Sequence, residues 1–164
     1  MSWYAIYTKP RHEKKVNDQL RDKRFEVYLP LITRVRQWKD RKKKVDIPLF
    51  SSYVFVNFEY KHRFDVLQTD GVVKIVNFNG VPAVVPEWQI ESLRKMLDNP
   101  ETLQLENYFK SGEVVQVTSG PLKGMRGVVV RRKGGHRLIL TIDGIMQSVS
   151  VELDETDLAR VVRS

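Results

Sequence analysis

Residues 47–58, IPLFSSYVFVNF, decide the fold, because this stretch alternates along its length and has two different apolar faces. Successive side chains of an extended strand point to opposite sides. One face carries Val54, Val56 and Phe58, and the other carries Tyr53, Phe55 and Asn57. A sheet covered by helices on one side usually has a polar second side, so two aromatic rings there indicate a surface kept apolar for a partner. The alternative is a sheet that is covered on both faces.

Length and composition limit the class of protein. The chain has 164 residues, enough for one ordinary domain or two small ones, and its 41% hydrophobic content is typical of a globular protein. The N-terminal residues, MSWYAIYTKPRHEKK, lack the apolar segment of a secretory signal, and no stretch is apolar enough to predict a membrane span. The absence of cysteine excludes a disulfide scaffold, a thiol nucleophile and a thiolate zinc site. We expect a cytoplasmic protein.

Positive charge is concentrated at the start of the chain. Residues 1–50 hold 14 of the 28 Lys and Arg residues but only 6 of the 20 Asp and Glu residues, which accounts for the whole formal charge of +8. A local positive field favours a polyanion, most simply nucleic acid. The alternative is a charged surface that only keeps the protein in solution.

The first elements are predicted to be a strand and a basic helix. Residues 3–8, WYAIYT, predict a strand, and Pro10 suits the first turn of a helix that ends near residue 24. His12, Val16 and Leu20 are spaced four apart and predict its buried stripe. The cations outside that stripe form a basic exposed surface: Arg11, Lys14, Lys15, Arg21 and Lys23.

Residues 32–48, ITRVRQWKDRKKKVDIP, predict a β-hairpin with its turn near Asp40. Its stem and tip carry seven cations: Arg34, Arg36, Lys39, Arg41, Lys42, Lys43 and Lys44. Because like charges on one ribbon repel each other, phosphates nearby are expected rather than packing in a core. Trp38 is able to stack on a base or sugar, although a lone tryptophan is more often a packing residue.

The middle of the chain completes a mixed domain. Residues 62–68 predict a helix or loop, and residues 72–78 predict a strand with Val76 and Phe78 on one face. Pro86 begins a second helix, in which Ile90, Leu93 and Leu97 occur at helical spacing. Strands alternating with two helices predict an α+β sandwich with one helix-covered sheet face.

After residue 100 the sequence changes character. Residues 101–110, ETLQLENYFK, fit neither the helical nor the strand period and are interpreted as a linker. Five short strands are predicted beyond it, at residues 114–118, 127–132, 137–142, 145–151 and 160–162. Turns at Gly120-Pro121, Gly134-Gly135 and above all Asp143-Gly144 separate them, which predicts a small closed barrel. We therefore expect residues 112–162 to be β-structure and not helical.

Residue patterns typical of catalysis or metal binding are missing from the sequence. His12, His62 and His136 lack metal-ligand spacing, and residues 133–136, KGGH, are interpreted as a hairpin tip because no nucleotide-binding motif surrounds them. The acidic cluster lies on a terminal turn without a nucleophile or base: Glu152, Asp154, Glu155 and Asp157. We expect neither an enzyme nor a cofactor.

Residues 112–130, GEVVQVTSGPLKGMRGVVV, resemble a KOW motif, in which glycines such as Gly120, Gly124 and Gly127 allow a tight corner between two strands. By itself the motif would also fit a KOW-containing ribosomal RNA-binding protein. The motif is preceded, in order, by SWYAIYTKPRHEKKV, VYLPL, PLFSSYVFVNF and NFNGVPAVVP. Over about residues 2–162, the chain therefore resembles the NusG family of transcription elongation factors.

The resemblance implies a fold and a separate function for each of two domains. The fold class is α+β, with an N-terminal NGN sandwich built on an antiparallel sheet and a C-terminal five-stranded KOW β-barrel. Residues 1–100 would be the NGN domain, which binds the clamp helices of RNA polymerase, and residues 101–110 the linker. Residues 111–164 would be the KOW domain, which recruits other factors, with ribosomal protein NusE or Rho as candidates. No membrane partner is expected, and we expect a monomer.

The resemblance also suggests a subfamily. PLFSSYVFV and FNGVPAVVP are similar to the specialised RfaH-like or UpxY-like antiterminators, with Ser51 and Ser52 where the general factor usually has Pro-Gly. The alternative is a general NusG-like elongation factor that also couples to termination.

The family's functional residues are carried over by position. The resemblance places the polymerase-binding patch on Tyr7, Tyr53, Phe55 and Phe78. It places contacts to upstream or non-template DNA on Lys9, Arg11, Lys14 and Lys15 and on the seven hairpin cations. Phosphate contacts of this kind add affinity, whereas the choice of operon requires base contacts that the sequence does not assign.

Overall fold

The structure is a computed structural model that describes residues 1–163, so residue 164, the last of the expected KOW domain, lies outside the described residues. The chain forms two compact units, Met1–Val84 and Val85–Ser164. The sequence, in contrast, predicts a linker further along the chain, at residues 101–110.

The first unit is built on an antiparallel sheet. Its strands and helices are β1 (Ser2–Thr8), α1 (Glu13–Asp22), β2 (Glu26–Tyr28), β3 (Leu31–Trp38), β4 (Arg41–Pro48), β5 (Tyr53–Phe58), α2 (Arg63–Leu67), β6 (Val72–Ile75), β7 (Asn77–Phe78) and β8 (Val81–Pro82). The main sheet has the order β2-β5-β1-β6, and a short strand β9 (Val84–Val85) also pairs with β1. β3 pairs with β4 and β7 pairs with β8 as separate two-stranded sheets. The predicted hairpin and the predicted α+β class are confirmed.

One sheet face packs on the first two helices, as the alternation of β5 predicted. Its core consists of Tyr4, Ile6, Val16, Leu20, Val27, Val54, Val56, Phe58, Val66 and Ile75. Burial of each large aliphatic side chain contributes about 1.5–3 kcal/mol relative to exposure. This cluster therefore holds α1 and α2 on the sheet.

The start of α1 differs from the prediction. The helix begins at Glu13, three residues after Pro10, because Arg11 has a φ of 62° that a right-handed helix does not allow. His12 is only partly buried, and one of its ring nitrogens lies 2.9 Å from the carbonyl oxygen of Pro10. Val16 and Leu20 form the buried stripe as expected.

The second unit combines one helix with an antiparallel sheet. Its elements are α3 (Glu87–Asp98), β10 (Gln104–Glu106), β11 (Val115–Val117), β12 (Arg126–Arg132), β13 (Gly135–Ile142), β14 (Gln147–Leu153), α4 (Glu155–Leu158) and β15 (Val161–Arg163). The sheet order is β10-β14-β13-β12-β11-β15. All five predicted strands are present, and the β-structure expected of residues 112–162 is found except at the four-residue helix α4.

Two differences from the sequence prediction concern loops of this unit. The residues expected to be a linker contain β10, which pairs with β14 as a sixth strand. The expected Asp143-Gly144 hairpin turn is instead a longer loop with a 3₁₀ turn at Asp143–Ile145, and its left-handed residue is Met146, with a φ of 52°. Three paired residues in β10 are too few to produce a recognisable alternation, which is why the sequence did not predict the strand.

The glycines of the KOW-like motif have the predicted roles. Gly120 and Gly124 have φ values of 83° and 90°, which other residues rarely adopt. Gly127 lies in β12 where a Cβ atom would come within 2.4 Å of the carbonyl oxygen of Ile139. Any side chain at residue 127 would therefore force β12 away from β13.

Candidate functional site

Tyr7 and Tyr53 form an aromatic pair at the end of the two central strands. The two residues are directly opposite each other in the β1–β5 ladder, and their ring centroids are 5.5 Å apart. Both side chains are partly exposed, and the Lys74 ammonium lies 5.9 Å from the centroid of the Tyr7 ring. Partial burial, followed by the neighbouring Tyr7, raises the pKa of the Tyr53 hydroxyl above 10.0. The pair therefore presents two partly exposed aromatic rings beside one cation.

Phe55 does not lie at the surface, and the expected exposure of the aromatic sheet face is wrong at its centre. Trp3, Ala5 and Phe55 on this face are all buried, and Phe55 has no exposed surface. Its ring packs edge-on against Phe50 at 6.4 Å and is stacked near Tyr28 at 6.4 Å. Alternation assigns a side chain to a face but does not show what covers that face, so the sequence could not reveal this burial.

Phe78 is exposed but does not belong to the tyrosine pair. It lies in β7, directly opposite Val81 of β8, and 47% of its surface is accessible. Val76, which was expected to continue the same strand, lies between β6 and β7. Phe78 and Val81 together form a small apolar surface at the tip of this short ribbon.

Glu13 is a structural residue that the sequence did not single out. Its carboxylate is buried and accepts a hydrogen bond of 2.9 Å from the backbone N–H of Ser52. Ser52 has a φ of 69° in the turn that leads into β5, and its carbonyl accepts from the N–H of Thr8 at 2.9 Å. Glu13 thereby fixes the turn immediately before Tyr53. Charged residues are rarely buried, so its place in the first turn of α1 was the only available signal.

The predicted basic surface of α1 is exposed, but all three of its lysines already have partners. The Lys23 ammonium donates to the backbone carbonyl of Asp65 and to the Thr69 hydroxyl, each at 2.9 Å. The Lys15 ammonium forms an ion pair of 2.7 Å with Asp70, which lowers the pKa of that carboxyl. The Lys14 ammonium donates to the backbone carbonyl of Asp46 in β4 at 2.6 Å. Lys9 and Arg11 are exposed in the turn before the helix. The bond from Lys14 places the base of the β3–β4 hairpin beside α1, so the two basic surfaces adjoin.

The β3–β4 hairpin projects away from the core. Residues 33–44 are exposed without interruption, and β3 is joined to β4 by a two-residue turn in which Lys39 has a φ of 52°. Among the described residues, none of the seven hairpin cations forms an ion pair with a carboxylate. The hairpin therefore offers seven uncompensated positive charges, as the sequence predicted.

A buried carboxylate holds β10 on the second unit. Only 7% of the Glu106 side chain is exposed, and it forms an ion pair of 3.0 Å with Arg132 and accepts a hydrogen bond of 2.7 Å from the Ser150 hydroxyl. Burial by itself would raise the pKa of Glu106, but hydrogen bonds from Ser150, Gln104 and Arg132 outweigh burial and lower it. Glu106 is therefore ionised at neutral pH and joins three strands.

The acidic cluster near the end of the chain also has a structural explanation. It was expected on a terminal turn, but Glu155–Leu158 form the short helix α4. The Asp154 carboxylate accepts from the N–H of Asp157, and the Asp157 carboxylate accepts from the N–H of Asp154. This reciprocal arrangement is a capping box, which satisfies free backbone donors at the start of a helix.

The two units together define a mixed α+β protein whose first unit carries a basic ribbon and whose second unit is an antiparallel sheet. The structure is similar to a solved structure of Thermotoga maritima NusG, determined in a study of its domain interaction, with a TM-score of 0.51 and 22% identity over 99% of this chain and 96% of that chain. This likeness supports the fold.

The sequence comparison then gives the family. A sequence model of the family described as transcription termination factor NusG matches residues 1–94, and the chain belongs to the NusG family. Relatives named transcription termination/antitermination protein NusG from Deinococcus radiodurans and Thermus thermophilus are each 25% identical to it, over 98% of this chain and 99% and 98% of their own lengths. The chain is thus a NusG-like transcription termination/antitermination factor, and the family consists of non-enzymatic transcription factors. In the part of the chain that the structure describes, every helix is too short or too polar to span a membrane.

Proposed function

We propose that this protein binds the clamp helices of RNA polymerase through the aromatic residues of its first unit and suppresses pausing and termination. The observation that carries the proposal is the partly exposed Tyr7–Tyr53 pair, because two neighbouring aromatic rings at the end of the sheet suit an apolar groove. Phe78 adds exposed apolar surface, and Phe55 lies two residues after Tyr53 on the same face of β5. We thus expect Tyr7, Tyr53 and Phe78 to contact the polymerase directly, whereas Phe55 is buried on the sheet face that also carries Tyr7 and Tyr53.

The basic surfaces are proposed to lie against upstream or non-template DNA. Lys9 and Arg11 are exposed in the turn before α1, and the bond from Lys14 to Asp46 places the base of the basic hairpin beside that helix. Phosphate contacts of these basic surfaces would increase affinity for the transcribing complex and make that affinity depend on salt. Lys14 and Lys15 would have to exchange their intramolecular partners for phosphates, so we expect them to contribute less.

Residues 111–164 are proposed to recruit other factors, with NusE or Rho as candidate partners, while residues 1–100 provide the polymerase-binding function. The proposal follows from family membership together with the separate β-unit. A monomer that acts in the cytoplasm is the simplest form consistent with this role.

We further propose that the chain is a specialised RfaH-like or UpxY-like antiterminator. The basic hairpin and the Ser51-Ser52 turn support this assignment. A general NusG-like role is the second candidate, because the matched relatives from Deinococcus and Thermus are named transcription termination/antitermination protein NusG. Genome-wide occupancy of the tagged protein separates the two: a few operons indicate a specialised factor, and most transcribed genes indicate a general one.

Capture of core RNA polymerase by the full-length protein tests the central proposal. The double variant Tyr53→Ala with Phe78→Ala should reduce capture at least about tenfold, since each aromatic truncation in an interface centre costs roughly 2 kcal/mol or more. Phe64→Ala is the matched control, because Phe64 is another exposed phenylalanine of the first unit, outside the proposed patch. Equal capture by the double variant and by the native protein would refute the patch.

A further inference from the structure

The β3–β4 hairpin has two chemically different faces, and this asymmetry goes beyond the phosphate contacts proposed above, on which it rests. Directly opposite residues of an antiparallel ladder share a face, and alternate residues along each strand share it as well. The register pairs Trp38 with Arg41, Arg36 with Lys43 and Arg34 with Val45. The side of the hairpin that carries these six residues is called the Trp38 face. The Lys42 face carries the alternating set, in which Gln37 pairs with Lys42, Val35 with Lys44 and Thr33 with Asp46.

The Trp38 face carries more positive charge and no acid. It has four cations, three of them arginines, whereas the Lys42 face has two lysines and one aspartate. The Asp46 carboxylate is already engaged, because it accepts from the Thr33 hydroxyl at 2.6 Å. Guanidinium groups bind phosphate oxygens in pairs and stack on flat groups, and lysine does neither as well. The Trp38 face is therefore the better surface for a nucleic-acid strand.

Trp38 adds a largely exposed aromatic ring to this face. Its side chain is 58% exposed at the end of β3, next to the turn, whereas Trp3 is buried in the sheet. An exposed indole beside cations is a platform for a nucleobase. Base pairing within a duplex keeps base faces stacked on one another, so a platform of this kind requires an unpaired base.

We infer that the Trp38 face binds a single-stranded nucleic-acid segment, with one base stacked on Trp38 and the flanking phosphates on Arg34, Arg36, Arg41 and Lys43. A strand rises about 3.3 Å per residue, so residues 34–38 extend over roughly 13 Å, the length of about four stacked nucleotides. The ligand is defined by an unpaired base and its phosphates, which DNA and RNA share. The Lys42 face contributes only to the general positive field.

Binding of short labelled oligonucleotides to the full-length protein, followed by fluorescence anisotropy, tests this inference. The probes are single-stranded DNA, single-stranded RNA of the same sequence and the matching DNA duplex. Arg36→Ala with Lys43→Ala removes two charges from the Trp38 face, and Lys42→Ala with Lys44→Ala removes two charges from the Lys42 face. All four residues are exposed, so neither pair is expected to disturb the fold.

We expect Trp38→Ala to weaken single-strand binding about fivefold or more and to change duplex binding less than about twofold. The Trp38-face pair should weaken single-strand binding at least about threefold more than the Lys42-face pair at the same salt concentration. A preference for the DNA or the RNA strand, or equal binding of both, supports the inference and identifies the source of the ligand. Equal losses for the two pairs, no effect of Trp38→Ala, or tighter binding of the duplex overturns it.

Polymerase capture by the same variants separates this inference from the proposed function. If both double variants capture polymerase normally but lose oligonucleotide affinity to the same extent, only the assignment of the binding face is overturned. Failure of the native protein to capture polymerase would refute the proposed function, while the oligonucleotide result would still decide the role of the Trp38 face.

Discussion

Ser52 illustrates how backbone conformation at a single residue controls the aromatic patch. Its left-handed φ of 69° directs the chain into β5, and the buried Glu13 carboxylate holds its N–H. The left-handed region costs most non-glycine residues roughly 1–2 kcal/mol. Glycine would adopt this φ without strain, whereas Ser52 is held in it by the hydrogen bonds around the turn.

Ser52→Gly should consequently stabilise the protein. Relief of strain outweighs the greater freedom of glycine in the unfolded chain, so we expect the free energy of unfolding to rise by about 0.5–1 kcal/mol. The bond to Glu13 is retained because it uses the backbone N–H. Urea denaturation measures the change.

Ser51→Gly is the matched control for this change, since Ser51 lies in the same turn and has no positive φ. It should lower the free energy of unfolding by roughly 0.5 kcal/mol. A destabilised Ser52→Gly variant would contradict the view that strain is concentrated at residue 52.

Phe55 shows the limit of sequence patterns at the residue scale. Alternation correctly placed it on the face of Tyr53 and opposite Val54, but only the packed structure revealed that the ring is buried with Phe50 and Tyr28. The same pattern is produced by an open and by a covered face, because the period depends on the backbone and not on neighbours distant in sequence.

Elements with a strong period or a clear turn were predictable, whereas short elements defined by partners were not. The basic hairpin has eight residues in each strand, and its position followed from the sequence. β10 has three residues and exists because it pairs with β14 and because Glu106 bonds to residues of β12 and β14. Its stability therefore depends on one ionised carboxylate.

Glu106→Gln should lower the stability of the second unit at pH 7 by about 1–3 kcal/mol, since it leaves buried donors without a charged acceptor. The pKa of Glu106 is below its ordinary value of 4.5, so its ionised form stabilises the native state above that pH, and the contribution is lost as pH falls through the lower native pKa. Amide exchange at residues 104–106 and 148–150, measured at pH 7 and again in acid, follows this loss.

Glu152→Gln provides the comparison, because Glu152 is an exposed carboxylate in β14 and its replacement should change stability by less than about 0.5 kcal/mol. In acid, the free energies of unfolding of the native protein and of Glu106→Gln should become equal, because Glu106 is then protonated. A constant difference between them from neutral pH to strong acid would mean that Glu106 contributes through shape and not through charge.

At the scale of the whole molecule, compactness places a division between Val84 and Val85, whereas the sequence predicts a linker at residues 101–110. The compact units meet between Val84 and Val85, so α3 belongs to the second unit, where it contacts β12 and β13 and its Ser92 hydroxyl accepts from the N–H of Arg126 at 3.0 Å. The family model, in contrast, matches residues 1–94 and includes most of α3. Sequence similarity and compactness thus assign this helix to different parts of the chain.

A comparison of two fragments tests what α3 and β10 contribute to the second unit. Residues 85–164 should be more stable than residues 111–164 by at least about 2 kcal/mol, because the longer fragment keeps the α3 contacts and the β10–β14 pairing. Chemical denaturation monitored by circular dichroism measures both. Equal stability would show that the sheet of residues 111–164 needs neither element and would favour the division at the expected linker.

The sequence by itself determined the α+β class, the aliphatic core face, the basic hairpin and the β-structure of the second unit. Each of these depends on a local period, a turn residue or the density of charge, which neighbouring residues carry. Only the tertiary structure decided that Phe55 is buried, that Glu13 and Glu106 are buried acids with structural roles, and that β10 and α3 join the second unit. These features depend on residues that are far apart in sequence and meet only when the chain has folded.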